Sequence, residues 1–171
     1  MADLRRNAKI NNAEIYLKDN NLVGIAEEID LPKIEWRLVE HETLGQVAVF
    51  KTPSRVMEAM EGSITFSHVE PDLALDFYDP TKTHVLQAHH KTDVTGPDGF
   101  DADRSFTLVT VLNVQFYSVS LSGTKLGDLV NVPLEYTVSR LVQRVHDADD
   151  VLFEVDVMTN TVRNSSGDLW K

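Results

Sequence analysis

Apolar and polar residues alternate with period two along most of the chain, the spacing of half-buried strands rather than of helices. Ile15 and Leu17 alternate with Glu14, Tyr16 and Lys18, and turn residues at 18–21 separate this run from Leu22–Ile25, which predicts a hairpin. The next run predicts one long strand over 28–40. Its apolar residues stand at odd positions as far as Leu31 and at even positions from Ile34 through Trp36 to Leu38. A one-residue change of phase turns side chains to the opposite face, so a bulge or bend is expected at Pro32–Lys33. There the ribbon can leave one sheet and enter another.

Residues 41–52 predict a loop with a short extended piece. Thr52 before Pro53, with Gly62 beyond, resembles a capped helix, whereas the alternation of Ile64 and Phe66 with Ser63, Thr65 and Ser67 predicts a strand near 57–69. A short helix is expected within 70–80, opened by Pro71 and closed by Pro80. A short strand and then a polar loop near 91–105 follow. From Phe106 the pattern changes phase repeatedly, which predicts strong twist or bulges over 106–121. A turn at 122–128, a strand over 129–145, an acidic turn at 146–150 and a strand over 151–162 complete the chain. Trp36, Phe66, Phe116, Tyr136 and Phe153 sit on alternating apolar faces and are the expected aromatic core. These elements predict a single domain over 1–171, mainly β, an antiparallel sandwich or barrel with one short helix.

Composition narrows the function. The chain of 171 residues is 42% apolar and 25% charged, ordinary for a globular protein, and carries a net charge of −11. A basic nucleic-acid-binding face is therefore not expected. There is no cysteine, so disulfides, thiolate nucleophiles and cysteine zinc sites are excluded. The opening "MADLRRNAKI" lacks the apolar stretch of a secretory signal, and no run reaches the roughly 18 apolar residues of a membrane-spanning helix.

Three groups of residues could carry chemistry. His84, His89, His90 and Asp93 have the ligand types of a zinc or iron site, and a metal hydrolase built on them is one reading. Their spacing fits no established metal signature, and solvated loop histidines are the simpler expectation. Asp98, Asp101 and Asp103 supply oxygen ligands but miss the glycine and terminal glutamate of an EF-hand loop. Glu154 and Asp156 share one strand face, where a wet side backing a buried one explains them. No phosphate-cradling glycine loop, serine elbow or HExxH helix is present. No catalytic, cofactor-binding or metal residue is assigned, and a monomeric β-sandwich binding module remains as an alternative from another class.

The order of several stretches carries a resemblance. An early hairpin with Gly24 in its second arm precedes "EIDLPKIEWR" (28–37), "MEAMEGSITF" (57–66), "EPDLAL" (70–75) and "FEVDVMTNTVRNSSGD" (153–168). Together they resemble the major tail tube protein of contractile-tailed bacteriophages along nearly the whole chain. The resemblance favours a loop over a helix for 53–61. The sequence departs from the family at "HETLGQVA", where only Gly45 remains of a glycine-rich stretch.

The resemblance implies a structural subunit and not an enzyme. Hexameric rings stack into a tube, and each subunit gives strands to a ring-wide inner β-barrel. Sheath, tape measure, baseplate and tail-terminator proteins are the implied partners. DNA passes through the lumen without specific binding, in a virion assembled in the host cytoplasm; a tailocin or a type VI-like machine is the related alternative. Closing a ring through shared strands also removes the exposed edge that a long ribbon would otherwise leave. Expected lumen residues are Lys33, Glu35 and Arg37 with Ser63, Thr65 and Ser67, each set alternating with apolar neighbours. Leu44, Val47, Val49 and Phe50, in a stacking loop near 41–56, and Trp170 are the expected contacts between subunits, being apolar where a monomer would expose them.

Overall fold

A computed structural model describes residues 7–17, 20–21, 26–45, 47–69, 71–121, 131–146 and 151–170. Its strands are β1 (Asn7–Leu17), β2 (Asn20–Asn21), β3 (Ala26–Asp30), β4 (Trp36–His41), β5 (Phe50–Met57) and β6 (Glu61–Phe66). One helix, α1 (Pro71–Phe77), falls within the predicted 70–80 segment. Then come β7 (His84–Gly96), β8 (Gly99–Val119), β9 (Val132–Val145), β10 (Val151–Asp156), β11 (Thr161–Asn164) and β12 (Gly167–Asp168). The predicted Leu22–Ile25 strand and the 122–128 turn lie outside the described residues, as does most of the acidic turn at 146–150.

Every pairing among the described residues is antiparallel. The large sheet runs β12-β11-β10-β9-β8-β7-β1-β2, and β6 joins it by pairing with β9 and carries β3 on its other side. β9 organises this sheet: β8 runs along one edge, while β6 pairs with residues 132–137 and β10 with residues 140–144 of the other. One strand serving two partners in turn bends the sheet around a single core of Ile15, Leu17, Ile64, Phe66, Phe77, Leu86, Leu112, Val114, Phe116, Leu134 and Tyr136, among others. Phe77 anchors α1 to that core, its ring 5.5 Å from Phe66 and 5.0 Å from Phe116.

The phase changes in the sequence are irregularities of register. Ser139 is the extra residue on β9 between the pairs Asn113↔Arg140 and Val114↔Val138, and Tyr117 is the extra residue on β8 beyond Phe116↔Tyr136. Near Pro32 the result goes further than a bulge. The expected single strand over 28–40 is two strands: β3 ends at Asp30 in the large sheet, residues 31–35 pair with neither sheet, and β4 begins a separate two-stranded sheet with β5. Pro32 is buried in this crossing, where its missing N–H interrupts no ladder.

Four expectations need correction. Residues 50–57 form β5, neither helix nor loop; Pro53 is tolerated because β5 is an edge strand and Pro53 sits at its register break, opposite Leu38. The polar loop near 91–105 is the outer part of the β7–β8 hairpin, turning at Pro97 and Asp98. Its threonines, aspartates and histidines read as loop, yet ladders to β1 and β8 flank β7 on both sides and override weak strand propensity. The 151–162 strand is broken by a turn at 157–160, with Asn160 in the left-handed region at φ 56°. Phe66, Phe116 and Tyr136 are buried as expected, but Trp36 and Phe153 are only half-buried and pack against the margin of the core.

Candidate assembly surfaces

Two surfaces stand out: a polar sheet face and a projecting apolar hairpin. On β6, Ile64 and Phe66 enter the core, so Ser63 and Thr65 point to the other face, where both are half-buried. Cross-strand register places Asp30 and Glu28 of β3 beside them on one side. On the other side, β9 sets Glu135 opposite Ser63 and Thr137 opposite Glu61. Ser63 donates to the Asp30 carboxylate at 3.0 Å. Four exposed carboxylates (Glu28, Asp30, Glu61 and Glu135) thus share a face with hydroxyls, and no lysine or arginine among the paired residues of β3, β6 and β9 interrupts this part of it.

The sequence reading found only the hydroxyl half of this face. Ser63 and Thr65 lie on it, and Ser67 lies half-buried just past the end of β6. Lys33, Glu35 and Arg37 do not join them. Lys33 and Glu35 form an exposed ion pair at 2.6 Å in the crossing after β3, and Arg37, on β4, pairs with Glu58 at 3.0 Å. The carboxylates were missed because their convergence depends on the β3–β6–β9 register, which no local spacing reveals.

The β4–β5 hairpin supplies the second surface. Leu38, Val39, Val49, Phe50 and Val56 are exposed on its arms, and Leu44 and Val47 stand fully exposed in the connecting segment. Its neck is closed by the Glu58 N–H donating to the Glu35 carbonyl at 2.9 Å. Charged residues solubilise its flanks through Lys51–Glu40, an ion pair at 2.5 Å. Trp170, expected as an exposed anchor, is instead half-buried against the core margin. Its carbonyl accepts from the Arg55 guanidinium at 3.4 Å, and it helps line a recess of about 180 Å³ between β5 and the β10–β11 turn.

The histidines form no metal centre. His84 is buried in the core with its ring 5.7 Å from Phe116, while His89 and His90 alternate faces on β7, half-buried; the solvated-loop expectation is corrected for all three. Adjacent strand residues point to opposite faces, which separates His89 from His90. No group of three or more metal-ligating side chains occurs among the described residues. Asp101, on β8, faces the Arg104 guanidinium at 3.5 Å, whereas Asp98 is in the hairpin turn and Asp103 is exposed.

Glu154 departs most from expectation. It lies on the face of β10 away from the core but is itself buried, covered by the half-exposed side chains of Arg140 and Arg163. Arg140 of β9 donates to one carboxylate oxygen at 2.8 Å, and Arg163 of β11 binds the other. Burial pushes its pKa up, but the hydrogen bonds and charges of the two arginines outweigh this and hold it below the usual glutamate value. Asp156 lies 4.0 Å from the Arg140 guanidinium on the same face. The group is a charge clamp across three strands.

A family model described as phage tail tube protein FII matches residues 7–170. The chain belongs to this family of structural tail tube subunits. Its fold is similar to the sheath/tube terminator of the extracellular contractile injection system PVC, with a TM-score of 0.56 and 10% identity over 80% of this chain and 95% of that one. It is also similar to a chain of the PVC sheath–tube complex in the extended state, with a TM-score of 0.52 and 11% identity over 80% of this chain and 90% of that one. No curated protein sequence matches it.

Proposed function

We propose that six copies of this chain close a ring with a continuous inner β-barrel, and that such rings stack into the inner tube of a contractile phage tail. The observation that carries this reading is the acidic, hydroxyl-rich face of β3, β6 and β9. Turned inward, Glu28, Asp30, Glu61 and Glu135 line the lumen with Ser63 and Thr65. At −11 per chain, a ring carries on the order of −66, a sign that repels DNA phosphates and lets them pass. The free edge of β3, which pairs with β6 alone among the described residues, is where a neighbour's strand extends the barrel.

In this reading the β4–β5 hairpin, whose connecting segment falls within 41–56, joins one ring to the next. A contractile sheath surrounds the tube, a terminator caps it, a baseplate seats it, and the tape measure protein occupies it before the genome does. Assembly takes place in the host cytoplasm. A tailocin would carry the same tube without a capsid, a difference visible by electron microscopy of the native particle. Cryo-electron microscopy of the purified, concentrated protein tests the ring directly. Six-fold rings with Glu28, Asp30, Glu61 and Glu135 on the inner wall are expected; a persistent monomer, or those residues on the outer wall, overturns the reading.

A further inference from the structure

The molecule has a recess whose place in the fold complements the hairpin. At the far end of β6, α1 and the ends of β8 and β9 enclose an apolar groove of about 240 Å³ lined by Val69, Phe77, Tyr78, Val119, Leu121 and Val132. Tyr78 and Leu121 stand exposed at its rim, as does Leu75 on the neighbouring turn of α1. The hairpin leaves the body at the opposite end of the same strand, where Met57 precedes Glu61. Six residues of β6 separate hairpin neck and groove, roughly 17 Å at about 3.3 Å per residue.

We propose that the groove is the socket for the β4–β5 hairpin of a second copy, with Phe50 as the inserted side chain; this deepens the stacking reading above and rests on it. A projecting apolar element and an apolar recess at opposite ends of one strand suit a head-to-tail contact. Such a contact is heterologous, and where its rotation does not close a ring it repeats and builds a column. The dimensions agree, since an apolar cavity of about 150 Å³ already accepts a benzene ring. Phe77 and Tyr78 offer rings for offset or edge-on contact with the Phe50 ring. Each side hides apolar surface that the isolated chain leaves in water: Leu44, Val47 and Phe50 on the hairpin, Tyr78 and Leu121 on the groove.

The absence of native cysteine makes the contact directly testable. A chain carrying both Phe50→Cys and Tyr78→Cys is assembled, oxidised and run without reductant. A ladder of covalent multimers is expected from assembled tubes, because a disulfide forms only where Cα atoms approach within about 7 Å. Each single variant is expected to stay a single band. Tubes without a ladder overturn the docking while sparing the stacking, as does self-linking of the Phe50→Cys variant, which would mean that hairpins meet hairpins. A wild-type protein that never stacks overturns both. If the paired substitutions block assembly, hydrogen exchange of the wild type decides. Amides of 74–78 and 119–121 must slow about tenfold or more on stacking, together with those of 47–50; unchanged exchange at the groove overturns the proposal.

Discussion

The Tyr136 phenol donates a hydrogen bond of 2.9 Å to the backbone carbonyl of Asp30, from the buried face of β9 to the end of β3. It reaches that carbonyl over Gly62 of the intervening β6. A Cβ at residue 62 would meet the Asp30 carbonyl oxygen at 2.5 Å and the phenol oxygen at 2.6 Å. Gly62→Ala is therefore expected to destabilise the subunit by about 1–3 kcal/mol through forced displacement of β3 or of the ring. Urea unfolding of the dissociated subunit measures it; a loss below about 0.5 kcal/mol would mean that the three strands shift freely.

Burial, and secondarily the Asp30 carboxylate, raises the Tyr136 pKa well above its ordinary value. The folded protein thus holds the phenol proton more tightly than the unfolded chain. Stability linked to it is full below the unfolded value of about 10 and declines as pH rises beyond it. Tyr136→Phe is expected to cost about 1 kcal/mol at neutral pH and to flatten the alkaline decline. Tyr16 and Tyr117, also raised, remain in both proteins as an internal baseline. An unchanged alkaline slope would contradict the prediction.

Glu154→Gln is expected to remove about 1–3 kcal/mol, because two charge-assisted hydrogen bonds to Arg140 and Arg163 are replaced by weaker ones. The folded carboxylate titrates below its unfolded value. Its contribution is present above about pH 4.3 and is lost as pH falls through the lower folded pKa. Acid titration followed by circular dichroism should show a shallower decline for the variant than for the wild type.

His89 lies on the non-core face of β7 with its ring 5.0 Å from Tyr16 and 6.1 Å from His146. Burial first, then the charge of His146, with Arg144 and His90 adding, lowers its pKa; Glu14 opposes them. The neutral ring is favoured in the fold, so stability is full above about pH 6.5 and falls as His89 is forced to take a proton below it. His89→Gln is expected to lose less thermal stability than the wild type between pH 7 and pH 5. Parallel melting curves for the two proteins would show that His89 contributes no part of the acid response.

Deleting residues 43–51 is expected to abolish tube growth while leaving a β-rich, folded subunit. The segment spans the hairpin tip, and the core draws none of its described residues. Tubes of normal length from the deletion would remove the hairpin from stacking. Loss of all folding would place the segment in the core instead.

Much of the fold was legible where one face of a strand is buried. Ile15 and Leu17, then Leu112, Val114 and Phe116, and then Leu134, Tyr136 and Val138 are all core residues, and the phase change at Pro32 marked the passage between two sheets. The outer β7–β8 hairpin was not legible, because both of its faces carry polar side chains and its strands are held by backbone ladders that leave no apolar signature. β5 was hidden by Pro53, whose cost vanishes only at an edge. The charge clamp on Glu154 and the acidic face around Ser63 share one difficulty. Arg140, Glu154 and Arg163 are brought together by the register of β9, β10 and β11, a relation between strands that the residues of any one strand do not encode.

The crossing at 31–35 has a mechanical corollary. The hairpin is tied to the large sheet by two short lengths of chain, 31–35 and 58–60, joined to each other by the bond between Glu58 and Glu35, and by the contacts of Trp36, Arg55 and Met57 at its base. A ladder loaded along its strands shares force among many parallel hydrogen bonds, whereas these necks pass it through few. Compliance is expected to be concentrated there, so that a load on the hairpin tip turns the hairpin before the large sheet shears. A column of such units would flex at its joints like a string of vertebrae while the bore of each keeps its shape.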